Sequence, residues 1–251
     1  MTSEAPSPPR ASPSHTGDRL SFHPSRDADT AVGMSEGDCT QLARACLERF
    51  ERALELVESW RAAGRSLESI YLEGVTASAR LLGHWWSCDE ADFAQVTIGS
   101  TNLQRLLHWY SDEFCAPGAD QPTGLQVLLC TEPRAQHTMG AFMLGEFFRR
   151  RGWRVQPLLP QDMADILAQL RRDWFDAVGL SVSSTRQLDV LTEALPRLRE
   201  ESPNPDMRIL LGGPLAHAHP ERLRDLGVDL VSGDARATVD HLQGLAIARR
   251  N

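Results

Sequence analysis

The sequence has no lysine: all 26 of its basic residues are arginine. That excludes Schiff-base chemistry and a P-loop lysine together, since both need a primary amine. The five cysteines (Cys39, Cys46, Cys88, Cys115 and Cys130) are odd in number and contain no CxxC spacing. They form neither a disulfide framework nor a zinc ribbon, and a reducing, cytoplasmic compartment is expected. No apolar run is long enough to span a bilayer, and the N-terminus shows no apolar export stretch. Positive charge is also short. A formal net charge of −8 argues against nonspecific binding to nucleic acid or to an anionic membrane. With no helix-turn-helix, zinc finger or basic arm, any link to DNA is expected through a partner. No nucleophile elbow, metal-ligand cluster or paired carboxylates stand at the expected strand ends, so no independent catalysis is expected. His217 and His219 lie two apart at a helix start, with no evident third ligand.

What is present falls into three parts. Residues 1–35 are rich in proline, serine and charge, and read as a disordered tail that includes His15 and His23. Met34, at its end, is a possible internal start. Residues 36–116 read as a bundle of about four helices. Leu42, Ala45, Cys46, Phe50, Ala53, Leu54, Val57 and Trp60 make one buried stripe that predicts a single helix from Thr40 to Gly64. Ser66 is placed as the N-cap of a second helix reaching Trp86, and Asp89 as the cap of a third segment that Gly99 interrupts. The stretch from Cys115 to Gly124 reads as a linker.

Residues 117–251 change period. LQVLLCT reads as a buried strand and WRVQPL, AVGLSV, RILLGG and VDLVSG as four more strands, each of the five followed by a helix. That alternation predicts a doubly wound, flavodoxin-like parallel sheet, with ligands beyond the carboxyl ends of its strands. Three loops at that edge are unusual. The first strand is followed by EPRAQHTMG, the third ends in Ser181, Val182, Ser183 and Ser184, and the fourth ends in Gly212-Gly213. Small side chains and glycine let a ligand approach the backbone closely.

In order and spacing these loops resemble the cobalamin-binding domain, whose pattern is Asp-x-His-x-x-Gly, then Ser-x-Leu, then Gly-Gly. The matching residues are Ala135 to Gly140 with His137 at the histidine, Ser181 to Ser183, and Gly212-Gly213. The resemblance implies that His137 displaces the dimethylbenzimidazole of cobalamin as lower cobalt ligand. Thr138, Met139, Gly140, Ser181, Ser183, Ser184, Gly212 and Gly213 would line the site. Two positions depart. Ala135 replaces the aspartate that orients the ligating imidazole, with Glu132 or Gln136 as stand-ins, and Ser183 replaces the leucine. The missing aspartate favours a sensor over a methyl carrier.

The helical half carries a second resemblance. Light-sensing cobalamin repressors have Trp, nine residues, then Glu-His; from Trp86 the same count leads to Val96-Thr97. The segment LGHWWSCDEADFAQVTIGSTNLQRLL closely resembles the AerR/PpaA regulators of bacterial photosynthesis genes. These join such a bundle to a cobalamin-binding domain and act as antirepressors on a repressor of the CrtJ/PpsR kind. The resemblance implies a light-responsive regulator binding adenosylcobalamin or hydroxocobalamin, with Trp85 and Trp86 over the upper face of the corrin. A corrinoid methyl carrier and a haem-binding redox sensor of the same fold stand as alternatives.

Overall fold

The computed structural model describes residues 33–133, 138–185 and 188–248, without side chains beyond 244. Residues 1–32 of the tail, His137, Ala135 and Gln136 therefore lie outside the described residues, which all fall within one unit, Ala31–Asn251, while Ser35, at the end of the expected tail, is the ordered cap of the first helix.

Helix α1 (Glu36–Glu48) begins at a reciprocal cap. The Ser35 hydroxyl accepts from the Asp38 N–H at 3.1 Å, and the Asp38 carboxylate accepts from the Ser35 N–H at 2.9 Å. The single helix expected through Gly64 is two, because Arg49 is extended at φ −169° and ψ 156°; α2 (Phe50–Ala62) follows it. Phe50, Ala53, Val57 and Trp60 still share one buried face, so the hydrophobic period survives a break that it does not announce. Ser66 caps α3 (Leu67–Ser69), which runs through a π-helical turn at Ile70–Val75 into α4 (Thr76–Ser87).

Asp92, not Asp89, starts α5 (Phe93–Trp109), through a capping box with Gln95. Asp89 instead takes a left-handed φ of 58° in the preceding turn. Gly99 does not interrupt α5. A Cβ there would stand 2.9 Å from Leu82 Cδ1 and 3.0 Å from Leu47 Cδ2, so the glycine admits close helix packing. That approach offsets the roughly 1 kcal/mol that glycine costs inside a helix. The expected linker is also partly helical: α6 spans Ser111–Ala119 and crosses the expected domain boundary.

The strands are β1 (Gln126–Thr131), β2 (Arg154–Leu158), β3 (Ala177–Ser181), β4 (Arg208–Gly212) and β5 (Leu230–Val231). They form one parallel sheet in the order β2-β1-β3-β4-β5, the expected doubly wound topology. Its intervening helices are α7 (Met139–Arg150), α8 (Met163–Arg172), α9 (Leu188–Glu200), α10 (Pro214–Ala218) and α11 (Pro220–Arg224), with α12 (Ala235–Ala248) closing the fold. The Gly-Gly loop is thus shorter than expected, its PLAHA segment being helical.

Alternation along the strands sorts the core. Val127, Leu129, Ala177 and Leu210 share a cluster with α7, α12 and the bundle. Leu128, Cys130, Val178, Leu180, Ile209 and Leu211 face α8 and α9. The bundle is fixed to the first face at the amino edge of the sheet. There a Cβ on Gly118 would lie 1.8 Å from the Arg149 carbonyl oxygen. Tyr71 stacks on Phe114 with centroids 4.4 Å apart, and Phe114 meets Phe147 edge-on at 5.0 Å. Glu68 adds an ionic tie to Arg236 of α12 at 3.1 Å.

Candidate functional site

The parallel register brings two short side chains and a glycine level at the carboxyl edge. Thr131 pairs with Ser181, and Ser181 with Gly212, across β1, β3 and β4. One layer below stand Leu129, Gly179 and Leu210. Alternation places both rows on the face covered by α7 and α12, because Leu129 and Leu210 belong to that cluster. The strand ends thus form a shallow trough of threonine, serine and glycine.

Gly213 closes the end of the trough. Its φ of 89° is left-handed, and a Cβ on it would lie 2.7 Å from Ser181 Oγ and 2.8 Å from both Val182 N and Val182 O. Two backbone bonds hold this crossing: Val182 N–H donates to the Gly212 carbonyl at 2.9 Å, and Leu215 N–H to the Val182 carbonyl at 3.0 Å. Thr138, Met139 and Gly140 open α7 beside the trough, and a Cβ on Gly140 would meet no atom within 4 Å.

Glu132 engages Ser183. Its carboxylate accepts from the Ser183 N–H at 3.0 Å and from the Ser183 hydroxyl, tying the loop after β1 to the loop after β3. Ser184 lies half-buried in that second loop.

A cavity of about 370 Å³ lies at the same edge, lined by Ile166, Leu180, Val182, Leu191 and Glu132 among others. Its apolar walls belong to the α8 and α9 side of the sheet, opposite the small-residue trough. The trough and this cavity meet at Thr131 and Ser181, which line both.

From the bundle, Trp85 packs half-buried against the core while Trp86 is 56% exposed. Phe93, at the first turn of α5, is 73% exposed. Lower on the same helix, the Gln104 amide donates to Thr138 Oγ1 at 3.4 Å, and His108 stacks on Phe142 of α7 with centroids 4.2 Å apart. Sequence reasoning missed Gln104, His108 and Phe142; their spacing of four on each helix carries no signal until the two helices are laid side by side. Among the described residues no group of three or more His, Cys, Asp or Glu is placed to hold a metal ion, and His217 and His219 gain no further ligand. Among the same residues no helix is long and apolar enough to cross a membrane.

Residues 127–243 match the family model of the B12 binding domain. An uncharacterized 20.5 kDa protein of Rhodobacter capsulatus, from the bchF-crtJ intergenic region, is 31% identical over 179 residues, which covers 71% of this chain and 93% of that relative. Among solved structures, the monomethylamine corrinoid protein of Methanosarcina barkeri is similar with a TM-score of 0.68 at 14% identity, over 84% of this chain and 100% of that one. At that identity the likeness is one of fold. A cobalamin-binding protein of Desulfitobacterium hafniense DCB-2 is similar at a TM-score of 0.43 and 18% identity, over 82% of this chain and 97% of that one.

Proposed function

Because the chain belongs to the B12-binding domain family, we propose that it is a cobalamin-binding, light-responsive regulator acting through a repressor partner. The single observation that carries cobalamin binding is the level row of Thr131, Ser181 and Gly212 beside Gly213. A long nucleotide tail can lie between sheet and helices only where side chains are this small, and Gly140 leaves the facing helix open. The described residues therefore fit the cofactor.

His137 supplies the lower ligand in this reading. A neutral imidazole is a good donor to cobalt. Ser181, Ser183, Ser184, Gly212 and Gly213 hold the tail side, with Thr138, Met139 and Gly140 facing them. When bound, cobalamin supplies a light-labile bond to its upper axial ligand. Trp86 and Phe93 are large apolar groups left in water, which the upper face of a corrin would cover. The bundle is locked at the amino edge by Gly118, so its response is a tilt of the opposite end, where α4 stops and α5 starts.

The partner assignment rests on the resemblance to AerR/PpaA and on the genomic place of the Rhodobacter relative. That relative lies next to crtJ, and a repressor of the CrtJ kind is the expected partner. A corrinoid methyl carrier is the second reading, favoured by the full-length likeness of fold to the Methanosarcina protein. Ala135 speaks against it, since the loop lacks the carboxylate that the family pattern places two residues before the histidine.

The test is an absorption spectrum of the protein with adenosylcobalamin, in darkness and after blue-green illumination, followed by size-exclusion of both samples with a CrtJ-like repressor. The proposal expects a bound corrinoid whose spectrum and repressor binding both change with light. A bound corrinoid indifferent to light, which accepts a methyl group from a methyltransferase, would establish the carrier instead.

A further inference from the structure

We propose that the exposed stripe of α5 and α6 around Trp109 is an interface between two copies of this chain, packed antiparallel about a two-fold axis. Trp109 is 61% exposed. Its indole is steadied but not covered: it meets the Phe50 ring edge-on with centroids 6.0 Å apart, and Arg105 lies over the same ring at 3.9 Å. Helical hydrogen bonding carries across the junction of α5 and α6. The Tyr110 N–H donates to the Leu106 carbonyl at 3.2 Å, and the Phe114 N–H to the Tyr110 carbonyl at 2.8 Å. The exposed period therefore continues through Thr101, Arg105, Trp109, Asp112 and Ala116, while Leu106, Tyr110 and Phe114 turn into the core.

Charge selects the occupant of this stripe. Arg105 is exposed and meets no carboxylate among the described residues; its polar contact is the Asn102 side-chain oxygen at 3.4 Å. Asp112 is exposed and makes neither a hydrogen bond nor an ion pair among the same residues. The two stand seven positions apart, which on a helix leaves them within about 20° of one face. Trp109 lies between them. A stripe so arranged complements itself. Turned end for end about an axis near Trp109, a second copy sets its Asp112 against Arg105 and its Arg105 against Asp112, as an isologous contact requires. The same turn brings the two Trp109 rings together and lays Ala116 opposite Thr101, short side chains where the helices must approach.

Other occupants fit less well. A partner of one sign, basic or acidic, would satisfy one of Asp112 and Arg105 and oppose the other. Nucleic acid and anionic membrane are repelled, because residues 36–120 carry fourteen Asp and Glu against seven Arg. That acidic excess does not stand at the axis. Asp89, Glu90 and Asp92 lie at the opposite end of α5, whose 17 residues span about 25 Å. In the antiparallel pair these ends, with Phe93, point away from each other.

Sedimentation equilibrium of the full chain, without cofactor, tests the proposal apart from the cobalamin reading. Wild type should sediment as two chains at a concentration on the order of 100 μM, enough to populate even a weak pair. Trp109→Ala should raise the dissociation constant about thirtyfold, the effect of losing a central aromatic anchor. Arg105→Glu and Asp112→Arg, made singly, should each weaken the pair. Made together they should restore it, because the charges are exchanged and still opposed. Circular dichroism of all four variants should match wild type, since the altered side chains are exposed. Wild type that sediments as one chain overturns the proposal, whatever else covers Trp109. So does a dimer that Trp109→Ala leaves intact, or one that the double exchange fails to restore.

Discussion

Gly213 sits so close to Ser181 that a methyl group at position 213 would lie 2.7 Å from the serine Oγ. This contact joins the ends of β3 and β4, and the left-handed φ of 89° adds a second reason for glycine. Gly213→Ala should cost about 1–3 kcal/mol of stability, the usual size of such backbone strain. It should also weaken cobalamin binding, because Ser181 has to shift into the trough. Melting curves and a corrinoid titration check both parts; a variant as stable as wild type would mean that the turn is looser than described.

Asp229 makes a pH prediction. Burial alone would raise its carboxyl, but the Ile209 N–H together with Arg208 and Arg199 outweighs that and holds it below the ordinary carboxylate value. The contacts are 2.8 Å to Ile209 N, 2.9 Å to Arg208 and 3.0 Å to Arg199. A folded-state value below the unfolded one contributes stability above the unfolded pKa, and that stability is lost as pH falls through the folded value. Asp229→Asn should therefore lose about 2 kcal/mol at neutral pH, and the gap to wild type should close in acid. A gap independent of pH would remove the carboxylate from the explanation.

The cysteines should separate sharply toward alkylation. Burial pushes the thiols of Cys46 and Cys130 up to about 12. Burial and then the nearby Glu146 do the same to Cys115. Cys88 is exposed, its sulfur 3.7 Å from the His84 ring nitrogens. Since the thiolate is the nucleophile, iodoacetamide at mildly alkaline pH should label Cys88 first, and reach the buried Cys46 and Cys130 and the half-buried Cys115 only on unfolding. Mass spectrometry reads the order, and early labelling of Cys46 or Cys130 would contradict the packing.

Strands β1, β3 and β4 were legible as nearly unbroken apolar runs, β2 and β5 from their place in the alternation with helices, and the order of elements then left few topologies. The break at Arg49 was not, since the apolar stripe continues on the far side of it and no proline or glycine marks it. The cap of α5 was misplaced by three residues: Asp89 and Asp92 both suit an N-cap, and only Asp92 has Gln95 at the capping-box position. The helical α6 was hidden by Pro117 and Gly118, which read as linker punctuation. Gly118 is there because Arg149 passes against it, a contact 31 positions away that no local pattern encodes. The same holds for the site. The small residues of the trough were visible in the strand-end motifs, whereas their alignment into one row needed the register. Glu132 with Ser183, and Gln104 with Thr138, join segments 51 and 34 residues apart.

The central claim is that His137 holds cobalt from below. It is tested most directly by electron paramagnetic resonance of the Co(II) form of cobalamin bound to protein labelled with ¹⁵N-histidine. The account predicts nitrogen splitting from one ligand that changes on labelling and disappears in His137→Ala. Splitting that is unaltered by the label, and retained in His137→Ala, would mean that the cofactor keeps its own base, and would contradict the account.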